Sequence, residues 1–201
     1  MRKYIFFVFT LIISCTSNQN KSGNTKKESV IDSSIQKLKK YSSVKEMIDS
    51  TFDYTEEDGT FKVISEKPKL HIQLAKHEIA NELEANVIQQ VKRNIIYVGF
   101  RIFAQTDIDE IQITSLPLKW DISLNKPLGY MDEYKETVVL TRNNAKSILQ
   151  KYYGFEDFSM LFGEKVGDVF MSDIANSDLR KMMFNDQGEP TLDKTFEELK
   201  K

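Results

Sequence analysis

The sequence predicts an α+β fold: one long amphipathic helix packed on a small antiparallel sheet, with additional short helices towards the C terminus. Three observations carry this reading. Apolar side chains recur three or four residues apart at Ala80, Leu83, Val87, Val91, Ile95, Val98 and Ile102, which places them on one face of a helix. Short alternating or β-branched runs stand on both sides of that stretch, at Phe61 to Ile64, Leu70 to Leu74, Ile108 to Leu116 and Thr137 to Leu140. A long helix next to such strands buries its stripe by crossing the face of a sheet.

From the start of the chain, Met1 to Cys15 read MRKYIFFVFTLIISC: two basic residues, an apolar run, then Ile12-Ile13-Ser14-Cys15. The run is shorter than the ~20 residues that span a bilayer. This stretch resembles a bacterial lipoprotein signal peptide with its lipobox. The resemblance implies that residues 1–14 are a signal peptide cleaved before Cys15, with diacylglycerol on the Cys15 thiol and acylation, palmitate for example, on its new amino group. Thr16 after the cysteine, where Asp does not stand, resembles the pattern of lipoproteins sent to the outer membrane of Gram-negative bacteria. The expected location is therefore the cell envelope, anchored at the outer membrane and facing the periplasm.

Cys15 is also the single cysteine. With its thiol lipidated, an intramolecular disulfide, a Cys-ligated zinc site and a free cysteine nucleophile are all excluded. The folded part must therefore be stable through its core alone. From Thr16 to about Ser43 the chain is rich in Ser, Asn and Lys, which makes residues 15–43 a lipidated cysteine followed by a solvated basic tether. Ile31, Ile35 and Leu38 are the one helical spacing within it. Through Lys45, seven lysines stand against Glu28 and Asp32, whereas from Glu46 onward 28 carboxylates face 19 cations. A basic tether beneath an acidic domain either follows anionic headgroups or keeps a linker soluble, and the second reading carries more weight.

Residues 44–201 make one globular domain. Val44 to Ile48 open it as a short helix. Asp53 to Gly59 is the densest acidic cluster, but a calcium loop begun at Asp53 would place Asp58 where Gly is required and Ile64 where the bidentate Glu belongs. Asp58-Gly59 reads instead as a turn into the first strand. The long helix is expected from about His77 to Phe103. Ile96, Val98, Phe100, Ile102 and Ala104 also alternate as a strand would, but no turn chemistry stands between Glu84 and Arg101 to let a helix become a strand. The next strand is expected to end at Pro117. Asn125-Lys126-Pro127 then marks a hairpin turn, and Thr141 or Asn143 caps a helix that Gly154 stops.

The C-terminal part is rich in Phe and Met, and Phe158, Met160 and Phe162 cannot all face one way on a short helix. They are the candidate interaction surface, although such residues more often dock short helices onto a sheet. Trp120, Tyr130, Tyr134, Tyr152 and Tyr153 are candidates for a ligand cleft or for core completion. His71 and His77, the only histidines, sit in no paired metal motif, so no metal site and no cofactor are expected, and catalytic residues are unassigned. The acidic domain disfavours nucleic acid. The favoured function is an envelope-tethered, non-enzymatic interaction module for an envelope protein or cell-wall component. Its alternatives are a small hydrolase of an envelope polymer using acidic residues, and an immunity or inhibitor lipoprotein.

Overall fold

The structure, a computed structural model, describes residues 38–79, 82–162, 165–166, 169–170, 177–185 and 189–201, so the expected lipidation of Cys15 lies outside the described residues. The first helix, α1 (Val44–Asp49), starts where the Ser43 hydroxyl accepts a hydrogen bond from the Glu46 amide, and it buries Val44, Met47 and Ile48. The fold reaches back beyond residue 44. Leu38 is buried, and the Tyr41 amide donates to the Gln105 carbonyl at 2.8 Å.

β1 (Phe61–Ser65) and β2 (His71–Ile79) pair antiparallel. α2 (Glu84–Gln105) then crosses to β3 (Glu110–Asp121), which pairs parallel to β2 from His71 opposite Gln112 to Ile79 opposite Trp120. β4 (Lys126–Tyr130) and β5 (Glu136–Thr141) both pair antiparallel with β3. The five-stranded sheet is therefore mixed, where an antiparallel one was expected. A helical crossover is what lets consecutive strands run parallel, and α2 is that crossover.

Two element boundaries differ from expectation. His77 lies in β2 instead of opening the long helix, because β2 continues through Lys76, His77 and Glu78 while it has β3 to pair with. The long helix consequently starts at Glu84 and spans 22 residues, about 33 Å at ~1.5 Å per residue. Pro117 lies inside β3 instead of ending it. β5 pairs with β3 up to Ser115 and β4 takes over from Leu118, so the proline, which has no N–H, stands at the changeover between partners. Its carbonyl accepts from the Met131 amide at 3.0 Å.

α2 is the centre of the core. Val87, Val91, Ile95, Val98 and Ile102 are buried as the helical spacing predicts, while Leu83, the residue before the first turn, is exposed. Ile96, Phe100 and Phe103 are buried too. The rings of Phe100 and Phe103 lie 6.1 and 5.6 Å from that of Phe158, in a 3-10 turn at Phe158–Leu161. Helical and alternating patterns thus coexist in residues 96–104 for one reason: the second half of α2 is enclosed on both sides, by the sheet and by the C-terminal elements. Arg142 closes the end of α2 by donating to the carbonyls of Phe103, Thr106 and Ile108 at 2.7 to 2.8 Å.

Arg142 also begins α3 (Arg142–Tyr153), which Thr141 caps and Gly154 ends at φ 77°. A minimal hairpin, β6 (Lys165–Val166) with β7 (Val169–Phe170), precedes α4 (Asp178–Phe184) and α5 (Leu192–Leu199). These are the short C-terminal helices of the expected α+β fold.

Candidate functional site

One stripe of α2 is polar although it faces the interior. Gln90, Asn94, Tyr97, Arg101 and Gln105 follow one another at intervals of three or four residues, so their side chains form a continuous row. Asn94 is buried and takes part in three hydrogen bonds. Its Oδ1 accepts from the Tyr54 hydroxyl at 3.1 Å and from Gln90 Nε2 at 2.8 Å, and its Nδ2 donates to Ser115 Oγ at 3.2 Å. One turn on, the Tyr97 hydroxyl donates to Asp53 Oδ2 and accepts from Arg101 Nη1, both at 2.6 Å. Arg101 Nε then donates to Gln105 Oε1 at 3.0 Å, and Gln105 Nε2 reaches the Lys39 carbonyl at 3.4 Å. The row ties the segment before α1, the Asp53-Tyr54 loop and β3 to one helix, with its buried polar atoms paired.

At its N-terminal end this row opens into a hollow of about 170 Å³ between β2, the Asp53-Tyr54 loop, α2 and α4. Lys76, Arg93 and Arg180 contribute cations to its wall, and Asp53 is the carboxylate among its described lining residues. Lys76 Nζ donates to the Asp53 carbonyl at 2.8 Å and lies 4.3 Å from the centre of the Tyr54 ring. Arg93 donates from Nε to the Met183 carbonyl at 3.2 Å and from Nη2 to Gln89 Oε1 at 2.7 Å. Its guanidinium and that of Arg180 sit 4.5 and 5.1 Å from the centre of the Phe184 ring. A second hollow, of about 340 Å³, on Arg180, Lys181, Phe184 and Asn185 shares Arg180 and Phe184 with the first. Among the described residues, Lys76 and Arg180 spend their charge on a carbonyl and on aromatic faces, not on a carboxylate. The described lining of this opening thus holds three cations against one carboxylate, in a domain whose charge is predominantly acidic.

The sequence candidates are dispersed. Phe158 and Phe162 are core residues, 4% and 5% exposed, and of that trio Met160 alone points outward, at 58%. His71 and His77 share a face of β2 but are six residues apart, about 20 Å at ~3.3 Å per residue. His71 Nε2 is 2.8 Å from Thr114 Oγ1, which is 2.8 Å from Thr137 Oγ1, and burial pushes the His71 ring below its ordinary pKa. His77 stacks on Trp120 with ring centres 4.2 Å apart. Tyr130 donates to the Gly59 carbonyl and Tyr152 to Glu198, so the aromatic residues do not line one cleft. The Asp58 carboxylate accepts from the Thr60 amide and hydroxyl, while Asp53 accepts from Tyr97 and Glu56 pairs with Lys45, so carboxylates of the acidic stretch are separately partnered. No cluster of His, Cys, Asp and Glu able to hold a metal occurs among the described residues. Glu78 is the one carboxyl among them that is pushed upward, by burial and then by Glu82.

The polar row and the cationic hollow were not picked out from the sequence, where Arg93 belongs to the solvated side of α2. The signal for the row was present as its three- and four-residue spacing beside the apolar stripe. The hollow also needs Lys76 and Arg180, which only tertiary packing brings near. No known protein family, curated protein or solved structure matches this chain.

Proposed function

We propose that the chain is a lipid-anchored protein of the bacterial envelope, held through Cys15 at the outer membrane and facing the periplasm, whose domain binds a partner instead of catalysing a reaction. The lipobox supports the anchor. The observation that carries the binding role is the convergence of Lys76, Arg93 and Arg180 on a hollow that also offers the Tyr54 and Phe184 rings. Cations beside aromatic faces suit a carboxylate or phosphate attached to an apolar or sugar body, as cell-wall fragments and acidic protein segments present it. Met160, outward on its turn, is the point where the Phe158-Met160-Phe162 segment meets a larger partner. The hydrolase reading requires two carboxyl groups facing one cleft; the hollow offers Asp53, hydrogen-bonded to Tyr97 with Arg101 nearby.

Titration of the purified protein with soluble peptidoglycan fragments, followed by calorimetry, tests this. Binding should weaken with added salt, and Arg180→Ala or Lys76→Met should each weaken it about tenfold, the ~1.4 kcal/mol scale of a charge-assisted contact. Fragments that bind both variants as well as the parent sink the assignment of the hollow. Hydrolysis of the fragments, abolished by Asp53→Asn in a still-folded protein, replaces binding with catalysis.

A further inference from the structure

The hairpin of β3 and β4 ends in a tip that the core does not cover. Ile122, Leu124 and Leu128 are 63%, 60% and 50% exposed, and every residue of β4 is exposed. The tip has a defined conformation: the Leu124 amide donates to Asp121 Oδ1 at 3.0 Å, and Asn125 turns the chain at φ 47°. Asp121 is the one carboxylate of the turn and stands across the ladder from Lys126, and Lys119 and Lys126 are both exposed. Trp120, the only tryptophan of the chain, lies on β3 just behind the tip. Ile122 and Leu124 stand in the turn itself, the Asp121–Lys126 pair lies directly behind them, and Trp120 and Lys119 follow with Leu128 beside them, so apolar side chains lead and tryptophan and lysines come after, as on moving from acyl chains through the headgroup layer to water.

We infer that this tip is a membrane-contact element that inserts Ile122 and Leu124 into the headgroup region of a lipid bilayer, with Leu128 and Trp120 at its outer edge. This rests on the proposed anchoring through Cys15. A few side chains on a two-stranded tip fall far short of the ~800 Å² that each partner of a stable protein complex buries. A bilayer requires no such area when a covalent anchor already holds the domain beside it. The chain from Cys15 to Leu38 spans at most about 80 Å at ~3.5 Å per residue, so the tip meets the membrane at high effective concentration, and weak insertion is enough to fix which face points down.

The test uses the mature full-length protein reconstituted into phosphatidylethanolamine–phosphatidylglycerol vesicles, with acyl chains brominated near the headgroup or unbrominated. Trp120 emission should fall roughly twofold in the brominated vesicles, the depth of a few Å expected for interfacial burial. The variant carrying Ile122→Ser, Leu124→Ser and Leu128→Ser should lose the quenching and keep its thermal melting curve. If the triple variant does not fold, Leu124→Ser alone serves in the same comparison. Equal emission from both kinds of vesicle overturns the inference, as does a tip-dependent dimer seen by sedimentation without lipid. The mass of the Cys15 peptide reports the anchor separately. An acylated protein without quenching keeps the anchor and removes the insertion; quenching at high lipid concentration without acylation does the reverse.

Discussion

Gly99 shows how closely one residue is fitted. It stands in the interior of α2, where glycine costs about 1 kcal/mol relative to alanine, and by sequence it favours neither helix nor strand. A Cβ built there would lie 2.4 Å from Leu140 Cδ1, so the missing side chain is what lets the helix settle on β5. Gly99→Ala should therefore destabilise the protein by up to ~2 kcal/mol, overpacking outweighing the gain in helix propensity. In a Leu140→Ala background the same change should stabilise, and denaturant melts of the four proteins read the reversal. His71 gives a second test, in pH. Burial holds its folded pKa below that of the unfolded chain, which takes up its proton near ~6.5. As pH falls from there the unfolded state binds protons first, so stability must drop through and below that range. Glu78 has the opposite sign at lower pH, its folded carboxyl being raised, so the informative quantity is the difference between the parent and His71→Gln. The variant should show the flatter stability curve between pH 7 and 5.

At the scale of the element, most strands and helices were legible, although the start of α2 was not and neither was the way its neighbouring strands pair. Periodicity placed Val91 and Val98 on its core face, and both are buried. Val91→Asp and Val98→Asp should each unfold the domain or cost several kcal/mol, because an unpaired carboxylate replaces packed methyl groups. Gln89→Asp should be mild, since Gln89 is partly exposed and its side chain serves only Arg93. Equal midpoints for the three in chemical denaturation would contradict the helical register. The parallel pairing of β2 with β3 was illegible because local sequence encodes neither the partner nor its direction. Leu70, Ile72 and Leu74 announce a strand, but its continuation through Lys76 and Glu78 is polar and holds only while β3 lies alongside. Pro117 misled for a related reason, as a strand breaker is harmless where two partners meet end to end. The two-residue spacing from Phe158 to Met160 to Phe162 announced divided facing, and only the fold says that the two phenylalanines go inward.

For the whole sequence the governing feature is the separation of charge, lysines before residue 46 and carboxylates after it, with three cations and one carboxylate among the described residues that line one opening in the acidic part. The asymmetry was readable from composition. The opening was not, because Lys76, Arg93 and Arg180 come from a strand and two helices far apart in sequence. If Cys15 carries the lipid, every task of the domain is performed next to a membrane, and the thiol is the one atom on which this depends. Cys15→Ser removes the sulfur that forms the thioether, and a serine hydroxyl does not replace it. The variant should accumulate as an unprocessed precursor with residues 1–14 attached, heavier in its polypeptide and lacking diacylglycerol. Mass spectrometry of the protein recovered from membrane and soluble fractions reads both changes. A Cys15→Ser protein that matures to the parental mass and stays in the parental fraction would show that neither lipid nor cleavage depends on this residue, and the anchoring proposal would fall with it.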